Sequence, residues 1–224
     1  MPNLIYLDIE TTGLDPDLHD VWEIGLITDT GAEYCWQICP DMTHADPKAL
    51  EVGGYYQRHF SITGQYPFVP TTTGIVVDTT QTTSSENVTP DTIESLSRYL
   101  ARLLAGTVVV GNNPAFDKDF LSRLLRRNNQ VWTAHHRPWD GIAMAAGASR
   151  RSPGSSSTDI FRAWGINPGA YDRHTALGDA RMIRDLVKAL NQDPASALCP
   201  HDVEFDMCDT PACTHHLNTL TKEK

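Results

Sequence analysis

An apolar run, Leu4-Ile5-Tyr6-Leu7, leads straight into Asp8-Ile9-Glu10-Thr11-Thr12-Gly13-Leu14. The run reads as a buried strand. Residues two apart on a strand point to one face, so Asp8 and Glu10 aim two carboxylates at one place beside the core. Neighbouring carboxylates repel, and burying them unpaired is costly. A divalent cation relieves both problems, and Gly13 lets the chain turn sharply afterwards. An isolated Asp-x-Glu is most simply a strand end with two solvated acids. Here seven contiguous residues, and two later segments of matching chemistry, favour a metal site.

The second segment is Val108-Val109-Val110-Gly111-Asn112-Asn113-Pro114-Ala115-Phe116-Asp117-Lys118-Asp119-Phe120-Leu121. A β-branched strand runs into a turn and then a helix. Pro114 suits the first helical turn with Asn113 as its cap, which places Asp117 in that turn. Phe116, Phe120 and Leu121 fall at helical spacing.

The third segment is Tyr171-Asp172-Arg173-His174-Thr175-Ala176-Leu177-Gly178-Asp179-Ala180-Arg181, continued by Met182, Ile183, Leu186, Val187 and Leu190 as an amphipathic helix. In one straight helix, His174 and Asp179 would diverge by about 140°. His174 is therefore placed at or before the helix start and Asp179 within its early turns, where both reach one site.

Together these residues resemble the DnaQ-like 3′–5′ exonucleases of the DEDDh subgroup. Asp8 and Glu10 match the first motif, Asp117 the second, and His174 and Asp179 the third. Glu23, in Val21-Trp22-Glu23-Ile24-Gly25-Leu26, looks like the second strand of that family. The resemblance spans about residues 3–190. It implies an α/β, ribonuclease H-like fold, a mixed five-stranded sheet flanked by helices. One departure is Asn112-Asn113, where the family usually has His-Asn; Asn112 keeps hydrogen-bonding capacity without a titrating proton.

The resemblance also implies a chemistry: two-metal phosphodiester hydrolysis from a 3′ end that releases nucleoside 5′-monophosphates. Oxygen ligands select Mg²⁺ or Mn²⁺. Two ions about 3.5–4 Å apart are expected, with Asp8 bridging both. Glu10 and Asp179 would hold the ion carrying the attacking water, and Asp117 would help position the second. An imidazole suits general-base work near neutrality, which assigns His174 that role. Thr11, Thr12, Gly13 and Leu14 resemble the segment receiving the terminal nucleotide, with Leu14 against the last base or in the core. Asn113, Phe116 and Arg173 are further substrate-binding candidates. The first motif, Glu-Thr-Thr-Gly-Leu-Asp, looks more like proofreading-type DNA exonucleases than oligoribonucleases. Single-stranded DNA is the expected substrate and RNA 3′ ends the alternative. A DNA polymerase or replication factor is a candidate partner for a role in replication or repair. A non-catalytic nucleic-acid-binding module is disfavoured, because it need not keep five costly polar groups together.

Composition sets looser bounds. The chain has 224 residues and 40% apolar content, enough for one domain with a real core. No run is long enough to span a membrane. Met1-Pro2-Asn3 passes directly into the first strand, so no signal peptide is expected, and the five cysteines suit a reducing, cytoplasmic setting. A formal net charge of −10 opposes a broad grip on duplex DNA and is tolerable for seizing a strand end through metals. Lys118, Arg123, Arg126, Arg127, Arg150, Arg151 and Arg173 are candidates for a local basic strip.

Along the chain, 3–8, 21–28 and 32–38 read as meandering antiparallel strands, and 46–59 as a helix weakened by Gly53-Gly54. Residues 61–89, rich in Thr and Ser around Ile75-Val76-Val77, read as an insertion: a surface loop, or a lid or partner-binding hairpin. Helices are expected over 90–105, capped by Thr89, and over 158–164. His135 and His136 read as loop histidines, Asp140 leads into another helix, and Cys35 and Cys39 as packing residues. The nuclease domain is assigned to 1–193. The acidic tail, 194–224, carries Cys199, His201, Cys208, Cys213 and His215, a candidate structural Zn²⁺ set of unfamiliar spacing, beside the simpler reading of a loosely ordered or docking tail.

Overall fold

A computed structural model of the chain describes residues 3–63, 76–78, 90–150 and 155–192. Six strands, β1 (Leu4–Thr11), β2 (Val21–Thr28), β3 (Glu33–Ile38), β4 (Val76–Asp78), β5 (Val108–Gly111) and β6 (Trp139–Asp140), form one sheet in the order β4-β3-β2-β1-β5-β6. Neighbours from β4 to β1 are antiparallel, whereas β1 pairs β5, and β5 pairs β6, in parallel. The expected mixed five-stranded sheet is β3-β2-β1-β5-β6. The sixth strand, β4, joins the β3 edge and arises from the Thr-rich insertion around Val76 and Val77.

Eight helices are described: α1 (Pro47–Val52), α2 (Tyr55–Arg58), α3 (Phe60–Thr63), α4 (Ile93–Leu103), α5 (Pro114–Arg127), α6 (Gly141–Ala148), α7 (Ser157–Ala163) and α8 (Ala176–Gln192). Two local expectations shift. The helix expected over 46–59 breaks at Gly53-Gly54, where Gly54 takes φ 68°, a left-handed conformation glycine adopts without steric cost. The helix expected from residue 90 starts later: Thr92 caps α4, and Thr92 and Ser95 bond each other's backbone N–H reciprocally. Thr89 lies outside the described residues.

The two-residue period of β1 organises both layers. Ile5, Leu7 and Ile9 point into a core shared with Leu96 and Leu100 of α4 and Phe120, Leu121 and Leu125 of α5. Tyr6 points to the opposite face, into a core with Ile160 and Phe161 of α7 and Ile183, Leu186 and Val187 of α8. Asp8 and Glu10 continue the Tyr6 series, so they emerge on the α8 face. Apolar packing on both sides of the central strands therefore fixes which face receives the acids.

Candidate active site

The N-terminus of α8 is pressed onto the sheet beside β1. Gly25 of β2 pairs with Asp8, and a Cβ on Gly25 would lie 2.2 Å from the backbone carbon of Ala176. Only a residue without a side chain permits that approach. Glu23, two residues earlier and opposite Glu10, accepts the Ala176 N–H at 2.9 Å through Oε2. Asp179, in the first turn of α8, thereby reaches the β1 acids. Carboxylate oxygens of Asp8, Glu10 and Asp179 all lie within 4.8 Å of one another.

Asp117 arrives from the other layer. Pro114 opens α5 as expected, but Asn113 makes no capping bond; it turns the chain with φ 57°. Gly111 allows the close entry, since a Cβ there would stand 3.0 Å from the Leu7 carbonyl oxygen. Asp117 is 2% exposed. It is outside the three-carboxylate group, though its charge acts on Asp8.

Burial and mutual repulsion raise the carboxyl pKa values of this cluster. Burial first, then the carboxylates of Asp117, Asp179, Glu10 and Glu23, raise the Asp8 pKa well above the ordinary range. Glu10 is pushed up to about 8, by burial and then Glu23, against the opposing charge of Arg58. Burial lifts Asp117 to about 8 despite backbone hydrogen bonds that favour its anion. Asp179 is also raised by burial, against the His174 backbone and the charges of His174, Arg173 and Arg58. Its Oδ1 is buried with no hydrogen-bond partner among the described residues. An all-oxygen donor set, repelling at close range and with one orphaned buried oxygen, fits a hard divalent cation such as Mg²⁺ or Mn²⁺.

His174 lies two residues before α8, exposed, with φ 59°. Its N–H donates to Asp179 Oδ2 at 3.2 Å. The turn after β1 is built by its own threonines. Thr11 Oγ1 donates to the Gly13 carbonyl at 2.6 Å, and Thr12 Oγ1 accepts the Asp20 N–H at 2.9 Å. Both threonines are buried. Gly13 is hemmed by the His19 ring, which a Cβ would meet at 2.3 Å. Leu14 is 77% exposed, so it is not a core residue.

Asn113 is exposed, and Phe116 is partly buried against Phe120, ring centres 4.7 Å apart. Arg173 is exposed beside Thr158 Oγ1 at 3.5 Å. The basic strip is largely engaged: Arg123 pairs with Asp17 and Arg127 with Asp20, both at 2.8 Å, and Lys118 donates to the His136 carbonyl at 2.8 Å. Arg126 and Arg150 are exposed, and Arg151 lies outside the described residues. His135 and His136 sit in an exposed loop as expected, and Asp140 caps α6 through the Ala143 N–H at 2.9 Å. Cys35 is buried and Cys39 partly so. The tail residues Cys199, His201, Cys208, Cys213 and His215 lie outside the described residues. Among those described, no helix is long and apolar enough to cross a membrane.

Sequence reasoning missed Arg58. Its Nη1 donates to Glu23 Oε1 at 2.6 Å, and its Nη2 to the carbonyls of Gly53 at 2.6 Å and His174 at 3.0 Å. A lone cation inside Tyr55-Tyr56-Gln57-Arg58-His59-Phe60, together with Glu23 in an otherwise apolar strand, was the available signal. Nothing local indicated that the two meet.

The sequence matches no protein-family model and no curated protein. Solved structures of exonuclease I share its ribonuclease H-like fold. The product-bound structure aligns with a TM-score of 0.57 at 18% identity, over 85% of this chain and 43% of that one. The E. coli enzyme in complex with a dT13 oligonucleotide gives 0.57 and 18%, over 86% and 41%. The apo structure gives 0.57 and 18%, over 98% and 47%. This chain therefore spans less than half the length of these neighbours.

Proposed function

We propose that the chain is a metal-dependent 3′–5′ exonuclease acting on single-stranded DNA, with residues 1–193 as the nuclease domain. The observation that carries this reading is the convergence of Asp8, Glu10 and Asp179 within 4.8 Å, with Asp117 buried behind them, on a fold shared with exonuclease I. That neighbour's complex with a dT13 oligonucleotide supports a single-stranded DNA substrate.

Asp8, Glu10 and Asp179 would hold the cation, with Asp117 completing the acidic set from α5. Bound there, a divalent cation would supply Lewis-acid polarisation of the scissile phosphate and stabilise charge on the leaving oxygen. The ring of His174 takes a proton from the attacking water. Water adds to phosphorus and the bond to the 3′ oxygen of the preceding nucleotide breaks. The products are a nucleoside 5′-monophosphate and a strand whose freed 3′ oxygen takes a proton from solvent to become the new 3′-OH. The backbone N–H groups of Gly13 and Leu14 orient the terminal 3′-OH, since the Thr12 N–H is already donated to the Asp20 carbonyl at 2.8 Å. Exposed Leu14 packs against the last base. Arg173, exposed beside His174, serves the phosphate backbone.

A single gel tests the reading. 5′-Labelled single-stranded DNA and RNA of one sequence are incubated with Mg²⁺, with Mn²⁺, with chelator, and with the Asp8→Ala protein. A metal-dependent ladder shortening from the 3′ end, stronger on DNA and absent with Asp8→Ala, is expected. A ladder on RNA alone would replace the substrate with RNA. No cleavage by the folded protein under either metal would remove the nuclease assignment.

A further inference from the structure

The general base proposed above sits on a backbone that Asp179, five residues on, holds only together with residues far away in the sequence. His174 is exposed and occupies a left-handed conformation with φ 59°, sparsely populated by residues bearing a side chain. Such a conformation persists only where its surroundings over-determine it. Three hydrogen bonds do so. Asp179 accepts the His174 N–H, Arg58 Nη2 donates to the His174 carbonyl at 3.0 Å, and Glu23 accepts the Ala176 N–H at 2.9 Å.

Arg58 and Glu23 are one unit, joined at 2.6 Å, with Glu23 only 2% exposed. Gln37 Nε2 also donates to Glu23, at 3.0 Å. The guanidinium lies over the Trp22 ring, 4.9 Å from its centre. Its Nη2 also holds the Gly53 carbonyl, at the bend whose Cβ would stand 2.7 Å from Glu10 Oε2. A single planar fork thus ties the wall beside Glu10 to the backbone of His174. A lysine ammonium keeps the charge and loses the fork.

We propose that Arg58 is a positioning residue for His174: its guanidinium, seated on Glu23 and Trp22, fixes the His174 backbone relative to the carboxylate cluster. This rests on the exonuclease reading. Arg58 touches no substrate in this role; it acts through His174.

A double-mutant cycle separates that role from general support of the fold. Arg58→Met is expected to lower kcat about 10²-fold, the scale of an ångström-size misplacement of a reacting group. KM should stay within about threefold, since ground-state binding does not need the base. In a His174→Ala background, Arg58→Lys, which keeps the charge acting on Glu10 and Asp179, should cost less than about threefold, because the residue it acts through is gone. An equal loss in both backgrounds overturns the proposal. Arg58→Lys should remain as impaired as Arg58→Met; recovery of wild-type kcat would mean that charge alone matters and would also overturn it.

Amide hydrogen exchange gives a readout that does not need nuclease activity. Arg58→Met should speed exchange over residues 172–176 while β1 and β2 amides stay protected, and unchanged exchange at 172–176 overturns the clamp. If the wild-type protein cleaves no nucleic acid, the exonuclease reading fails and the exchange result alone decides whether Arg58 holds this segment. Should Arg58→Met not fold, Arg58→Lys takes both measurements.

Discussion

Asp179 faces His174 with one carboxylate oxygen and the β1 acids with the rest of its charge. Oδ2 accepts the His174 N–H at 3.2 Å, whereas Oδ1 is buried without a hydrogen-bond partner among the described residues. A buried carboxylate oxygen left unpaired is costly in isolation, and a cation shared with Asp8 and Glu10 removes the cost. The side chain proposed to serve the cation therefore also anchors the backbone of the proposed base.

Asp8→Ala should lower hydrolysis by at least about 10³-fold, since Asp8 is central to the carboxylate group. The variant should stay folded, because the change relieves the crowding of carboxyl groups at the cluster and removes no apolar packing group. A melting shift with Mn²⁺ in the wild type, lost in the variant, checks the assignment. Retained activity in Asp8→Ala would displace the site.

His174→Ala should cut turnover by about 10²–10⁴-fold and leave the Mn²⁺ melting shift in place. The side chain is exposed and its Asp179 contact is made through the backbone, so neither folding nor cation binding needs the ring. Single-turnover rates with and without the ring decide this, and an unchanged rate removes His174 as the base.

Stability without metal should fall as pH rises from about 6 to about 8. Glu10 and Asp117 are held to about 8 by burial, far above an unfolded carboxyl near pH 4. The folded chain then binds more protons than the unfolded chain, so ∂ΔG/∂pH is negative in that window. Glu33 and Asp185, whose arginine contacts depress them, work in the opposite direction and only at lower pH. Melting curves in chelator across this range should descend, and Glu10→Gln should flatten the slope. Protons compete with the cation, so the Mn²⁺ melting shift should grow with pH. A wild-type Tm that climbs with pH in chelator would contradict the charge state inferred here.

Gly25→Ala should destabilise the protein by about 3 kcal/mol, the upper range for overpacking against unyielding neighbours. The new Cβ would meet the Ala176 backbone at 2.2 Å, with no flexible side chain to move aside. Lifting α8 carries Asp179 away from Asp8, so the Mn²⁺ melting shift should weaken as well. A neutral Tm would mean that α8 sits elsewhere.

Leu14→Ala should raise KM for single-stranded DNA by about tenfold, the scale of losing several methylene contacts. Its side chain is 77% exposed, so Tm should not change. An unaltered KM would free Leu14 from substrate contact.

Much of this was legible in local pattern. The alternation along β1 placed Asp8 and Glu10 on one face, Pro114 marked the start of α5, and the apolar period of Met182, Ile183, Leu186, Val187 and Leu190 marked α8. The insertion was legible as composition; its strand β4 was not, because three residues on a sheet edge depend on β3 for their definition. The turn after β1 was legible from Gly13; that Thr11 braces it through the Gly13 carbonyl and Thr12 through the Asp20 N–H was not.

The amino-acid sequence by itself determined the acidic residues, their order, and the elements that bear them, because strand and helix periods are properties of neighbouring residues. Only the tertiary structure decided how tightly they converge and what holds the backbone of His174. Arg58 reaches His174 across 116 positions, and Glu23 reaches Ala176 across 153. Such contacts exist only once Gly25 has let α8 settle on the sheet, and no local period encodes them.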